Sequence, residues 1–191
     1  MRNIDTFLGE IAASRQRAQI AERAALVATP DLSISPALEV ALRHRFLISP
    51  VLAQSPSPHH SAYVGEPSCD RKQIEYWVAT LGNVNRSLQI GEKSRVVALE
   101  IEDLCSAVPT LTDLADEDSS WQDSLQFTIG PRRFVLFEYA PFLRPLIGFA
   151  GIKLHIREGN RIPIPPSNTA LYEIAYIDIS APLLPVPAWL R

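Results

Sequence analysis

Glu100 and Glu102 are the residues of this chain whose types and spacing best suit chemistry. They are two carboxylates two residues apart at the end of the run 94–102, S-R-V-V-A-L-E-I-E. The run is apolar and β-branched, which predicts a strand, and residues i and i+2 of a strand share a face. Both carboxylates are therefore expected side by side. Such a pair at the end of a buried strand is suited to holding Mg²⁺ or Mn²⁺ near phosphates. It equally describes a strand end whose acids face water, and the spacing alone does not separate the two.

Charge along the chain extends the pattern. Residues 100–123 contain eight acids and no Lys or Arg; residues 130–161 contain Arg132, Arg133, Arg144, Lys153, Arg157 and Arg161 against Glu138 and Glu158. Acid followed by base predicts either a metal site beside a phosphate site or two solvated surfaces. The guanidinium fork matches phosphate oxygens, which makes Arg132, Arg133, Arg157 and Arg161 the phosphate-binding expectation.

Whatever holds these residues must be built from 191 residues, 47% of them hydrophobic: one domain with a sizeable core. The net charge of −3 argues against nucleic-acid binding by bulk positive charge. No apolar run is long enough for a bilayer and none resembles a signal peptide, so no membrane and a cytoplasmic location are expected. Two cysteines, Cys69 and Cys105, without a Cys-x-x-Cys, fit a reducing compartment. Sixteen prolines against eight glycines imply rigid turns.

Element by element, residues 1–28 read as an amphipathic helix with the stripe Ile4, Phe7, Leu8 and Ile11, extended by Ile20, Ala24 and Val27. Such a stripe packs on its own domain or on a second copy. Ser35-Pro36 predicts a helix start, burying Leu38, Ala41 and Leu42 and ending near His44. Residues 46–52 read as a strand that Pro50 places at an edge or bulge. The loop 54–61 holds His59 and His60, whose side chains splay apart as metal ligands would not. Asp70 and Gln73 predict a capping box before a helix burying Ile74, Trp77, Val78 and Leu81, with Gly82-Asn83 as its stop. Strands are expected at 87–90 and 95–102. A helix opened by Pro109 follows, then a hairpin of 125–129 and 133–139 around Gly130-Pro131. Further strands are expected at 152–156, 161–164 and 172–179. Helices and strands mix without regular β-α-β alternation, which predicts α+β with a largely antiparallel sheet.

Taken as an ordered set, residues 36–191 resemble the bifunctional DNA primase/polymerase (Prim-Pol) domain of the archaeo-eukaryotic primase superfamily. Residues 37–51 (A-L-E-V-A-L-R-H-R-F-L-I-S-P-V) resemble that family's opening helix and "W-x-V-F-P" strand. Residues 70–91 (D-R-K-Q-I-E-Y-W-V-A-T-L-G-N-V-N-R-S-L-Q-I-G) resemble its "D-x-x-x-I-x-x-W-W…N-I-G" segment. Residues 157–167 and the closing P-V-P-A-W-L at 185–190 resemble its "R-G…G-x-V-V-A-P-P-S" and "P-L-P-x-W-L" endings. The resemblance implies a Prim-Pol-like, RRM-related sheet with flanking helices over 36–191; the amphipathic helix read from the apolar stripe forms a separate segment, 1–30, ahead of it.

The resemblance also implies where catalysis would lie. The family binds its metals through Asp-x-Asp or Asp-x-Glu; Glu100 and Glu102 stand there, with the first acid lengthened. A Gly-rich turn leads in the family to a phosphate-contacting histidine; here Gly130-Pro131-Arg132-Arg133 leads to Phe134. A final metal-binding Asp is matched by His155, a poor ligand for a hard Mg²⁺ ion. On this basis the expected catalytic residues are Glu100, Glu102 and His155, the metal ligands Glu100 and Glu102, and the phosphate contacts Arg132, Arg133 and Arg157.

Three altered positions in one scaffold imply a degenerate domain that binds nucleotide, nucleic acid or a partner. One alternative is an active nucleotidyl transferase using Mg²⁺ or Mn²⁺. Another is a structural subunit of a replication or mobile-element complex, joined through residues 1–28 to a separate helicase or to another copy.

Overall fold

The computed structural model describes residues 34–52, 62–63, 65–81, 84–115, 118–143, 146, 149–168 and 172–191. Helix α1 (Pro36–Arg43) starts as the sequence predicts, with Ser35 Oγ accepting a hydrogen bond from Leu38 N at 3.3 Å and proline at the first helical position. Strand β1 (Ile48–Leu52) follows and pairs with β2 (Ala62–Tyr63). Helix α2 (Arg71–Leu81) is capped by Asp70, whose Oδ1 accepts from Lys72 N at 3.2 Å. The reciprocal arm of the capping box is not Gln73: the Asp70 N–H donates to Ser68 Oγ at 3.0 Å.

Strands β3 (Asn85–Gln89) and β4 (Val96–Ile101) lead to α3 (Leu104–Ala115). Proline 109 does not open this helix but lies inside it. The start is set five residues earlier by Asp103, whose Oδ2 accepts from both Ser106 N (3.0 Å) and Ser106 Oγ (2.6 Å). A proline this near a helix start removes one intrahelical bond, and the strong cap outweighs that loss. A 3₁₀ turn (Ser120–Asp123) precedes the hairpin of β5 (Gln126–Ile129) and β6 (Arg132–Glu138), joined by Gly130-Pro131 as expected. The chain ends through β7 (Ile152–His155), β8 (Arg161–Ile164), β9 (Ser167–Asn168), β10 (Glu173–Tyr176), β11 (Leu184–Pro185) and a 3₁₀ turn (Ala188–Leu190). The expected helix over 1–28, the His59-His60 pair and the Gly82-Asn83 stop lie outside the described residues.

The strands form two sheets, ordered β2-β1-β3-β8 and β7-β4-β6-β5-β10-β9, with β11 added beside β6. Every pairing between them is antiparallel except β11 with β6. The architecture is α+β and largely antiparallel. Pro50 lacks an N–H to give a second neighbour, and it pairs with Arg86 of β3 between the Ser68 bridge and the reach of β2.

All six residues of β4 are buried, because the larger sheet is covered on both faces. Val96 and Ala98, with Phe134 and Leu136 of β6, face a core shared with α1, α2 and the smaller sheet. Val97, Leu99 and Ile101, with Val135 and Phe137, face a second core under α3 and the closing 3₁₀ turn. This period-two division decides the surroundings of every polar residue on β4, β6 and β7.

Candidate functional site

Glu100 is the one charged residue of β4, and its side chain is only 6% exposed. The register puts Phe134 of β6 and Lys153 of β7 directly opposite it. Its partners are the diagonal neighbours on the same face, where long side chains reach across strands. Arg132 Nη1 donates to Glu100 Oε1 at 3.1 Å, and His155 Nε2 lies 2.7 Å from Glu100 Oε2. A carboxylate only accepts, so His155 carries its proton on Nε2 in this contact.

Phe134, which stands where the resemblance implies a phosphate-binding histidine, does a different job. It is buried, stacks on Phe127 with ring centroids 4.9 Å apart, and lies 6.2 Å from the His155 ring. The Arg132 guanidinium carbon sits 6.0 Å from its centroid. One aromatic ring thus supports both bases that hold Glu100.

Burial pushes the Glu100 carboxyl up, but the His155 hydrogen bond and charge, with the Arg132 guanidinium, outweigh it and hold the carboxyl below its ordinary value. The sign for stability follows. A depressed carboxyl contributes stability that is present above its unfolded-state value, near 4.5, and is lost as pH falls through the folded value. The stability advantage of the natural chain over Glu100→Gln is therefore expected at neutral pH and should shrink as pH falls below about 4.5. Urea midpoints of both proteins at pH 7 and pH 3 check this; a constant difference would exclude Glu100 as an ion-pair acid.

The other expected site residues do not join this cluster. Glu102 follows the strand end, its N–H donating to Gly151 O at 2.8 Å, and its exposed side chain makes no hydrogen bond or ion pair with the described residues. Arg133 lies on the opposite face of the sheet from Arg132, among the residues beside α3. Arg157 is exposed in the turn between β7 and β8, where its carbonyl accepts from Asn160 N at 3.1 Å. Lys153, exposed and directly across from Glu100, belongs to this face; the sequence places it in the basic stretch 130–161 but not among the expected phosphate contacts. The two-residue turn and the strand period were the signal that would have separated Arg132 from Arg133.

The cluster does not fit a divalent metal. Each Glu100 oxygen already has a basic donor, and the fixed positive charge of Arg132 opposes a cation beside it. Among the described residues no group of three or more His, Cys, Asp or Glu is placed to hold a metal ion. What the arrangement can do is hold Arg132, 46% exposed at its side chain, in a fixed direction with further N–H donors available to solvent. Among the described residues no helix is long and apolar enough to cross a membrane. Compared with protein-family models and with curated protein sequences, the chain matches none.

Proposed function

We propose that this chain is a primase/polymerase-like domain that binds a phosphate-bearing ligand, a nucleotide or a nucleic-acid strand, without catalysing its transfer. The observation that carries the reading is the engagement of both Glu100 oxygens, by His155 at 2.7 Å and Arg132 at 3.1 Å. At the position where the resemblance implies a metal-binding acid, the carboxylate serves to orient a guanidinium. Arg132 supplies the fork for a phosphate and exposed Lys153 a second charge on the same face. Arg157, two residues beyond His155, adds positive charge in the adjoining turn.

The test is calorimetric titration of dATP in EDTA, in Mg²⁺ and in Mn²⁺. Binding is expected in EDTA, unimproved by either metal, and weakened about tenfold by Arg132→Ala, the loss of one charge-assisted contact. Metal-dependent binding abolished by Glu100→Ala/Glu102→Ala would restore the nucleotidyl transferase reading. Absence of binding in all three conditions would leave the chain a structural subunit.

A further inference from the structure

The opposite face of the larger sheet is not closed over completely. Beside α3 runs a groove of about 370 Å³, walled by Leu104, Val108, Leu111, Ala115 and Trp121. Leu104 and Val108, one helical turn apart, are each about half exposed, so the apolar stripe of α3 is wider than the sheet beneath it covers. Its volume lies at the lower end of the range of small-molecule sites, about 300–1,000 Å³, and its walls are mainly apolar with a few polar groups. The ten described lining residues fall short of the roughly 20–30 per side in a standard protein interface.

The polar groups of the groove define the ligand. Thr112 Oγ1 is committed to Val108 O at 2.8 Å. Asp118 accepts from Ser120 N (3.0 Å) and Ser120 Oγ (2.5 Å), contacts that hold its carboxyl below the usual range. The side chain of Arg133, half-buried on β6, makes no ion pair or hydrogen bond with the described residues. A guanidinium among apolar walls, with no carboxylate paired to it among the described residues, is suited to a carboxylate, whose two oxygens match its fork. Asp118 limits the ligand's charge, since a polyphosphate would be repelled where a single carboxylate is tolerated.

We propose that this groove binds a small amphipathic monocarboxylate, its apolar body against α3 and Trp121 and its carboxylate on Arg133. The site is independent of the Glu100 face and of any nucleotide bound there.

Octanoate is the probe, titrated into the full chain, with 1-octanol and octyltrimethylammonium as uncharged and oppositely charged controls. The Trp121 indole N–H resonance, assigned through Trp121→Phe, reports occupancy. Octanoate is expected to shift this resonance to saturation and to bind more tightly than either control. Arg133→Gln should weaken octanoate at least tenfold while leaving octanol unchanged, and Arg133→Lys, which keeps the charge but not the fork, should fall between. Circular dichroism of both variants establishes that they fold. Equal binding of octanoate and octanol, an unshifted Trp121, or an acidic amphipathic peptide binding where octanoate does not would each overturn the proposal.

Discussion

Replacing His155 with leucine is expected to lower stability by about 3 kcal/mol, and adding Glu100→Leu is expected to recover most of that loss. The asymmetry comes from burial. The Glu100 side chain is 6% exposed and that of His155 11%. Removing the base leaves a carboxylate facing an apolar side chain, held by Arg132 alone. Removing both leaves no buried charge, because Arg132 is 46% exposed and returns to water. Urea unfolding of the natural chain, both single variants and the double variant at neutral pH gives the full cycle. The double variant should lie within about 1 kcal/mol of the natural chain, since apolar replacement of both partners is close to neutral. A His155→Leu loss below about 1 kcal/mol, or a double variant as unstable as the single, would show that His155 does not hold Glu100. The cycle bears on function too. If Glu100 exists to orient Arg132, the double variant should keep its fold yet lose dATP affinity.

How far the sequence discloses this site depends on which interaction is local. The apolar, β-branched run in residues 94–102 is a property of the strand itself, so a buried strand carrying Glu100 is legible from residue types alone. The Ser35-Pro36 helix start and the Gly130-Pro131 hairpin are legible for the same reason: their cause lies within a few residues. The partners of Glu100 are not local. They depend on β4 lying between β6 and β7 in a register that brings residues 132 and 155 to the two diagonals. Reading Arg132 and Arg133 together as phosphate contacts overlooked that neighbouring strand residues face opposite ways, which sends Arg133 under α3. Pro109 misled in another manner. Proline is favoured at a helix start, but the Asp103–Ser106 cap is stronger and moved the start upstream. The groove beside α3 had no readable signature, since its apolar stripe looks like any core-facing helix until the width of the sheet beneath it is known.

Gly151→Ala is expected to destabilise the fold by about 3 kcal/mol, more than the same change at Gly159. Both glycines have positive φ, +72° at Gly151 and +83° at Gly159, where an L side chain costs about 1–2 kcal/mol. Their surroundings differ. A Cβ at Gly159 would meet nothing within 4 Å, whereas at Gly151 it would lie 2.7 Å from Ala107 N and 2.9 Å from Ser106 C. Those are backbone atoms in the first turn of α3 and cannot rotate away. The approach is close because this is where the helix is seated. Gly151 O accepts from Glu102 N at 2.8 Å, and Ala150 O accepts from Thr110 Oγ1 at 3.1 Å. A methyl group here must therefore lift α3 from the end of β7. Gly159→Ala measures the backbone strain alone, and the difference between the two urea midpoints isolates the contact. Because α3 is also a wall of the groove, Gly151→Ala should weaken octanoate while Gly159→Ala should not. Equal losses of stability at the two positions would mean that α3 slides without penalty, and a wall free to slide could not fix an apolar ligand against Arg133.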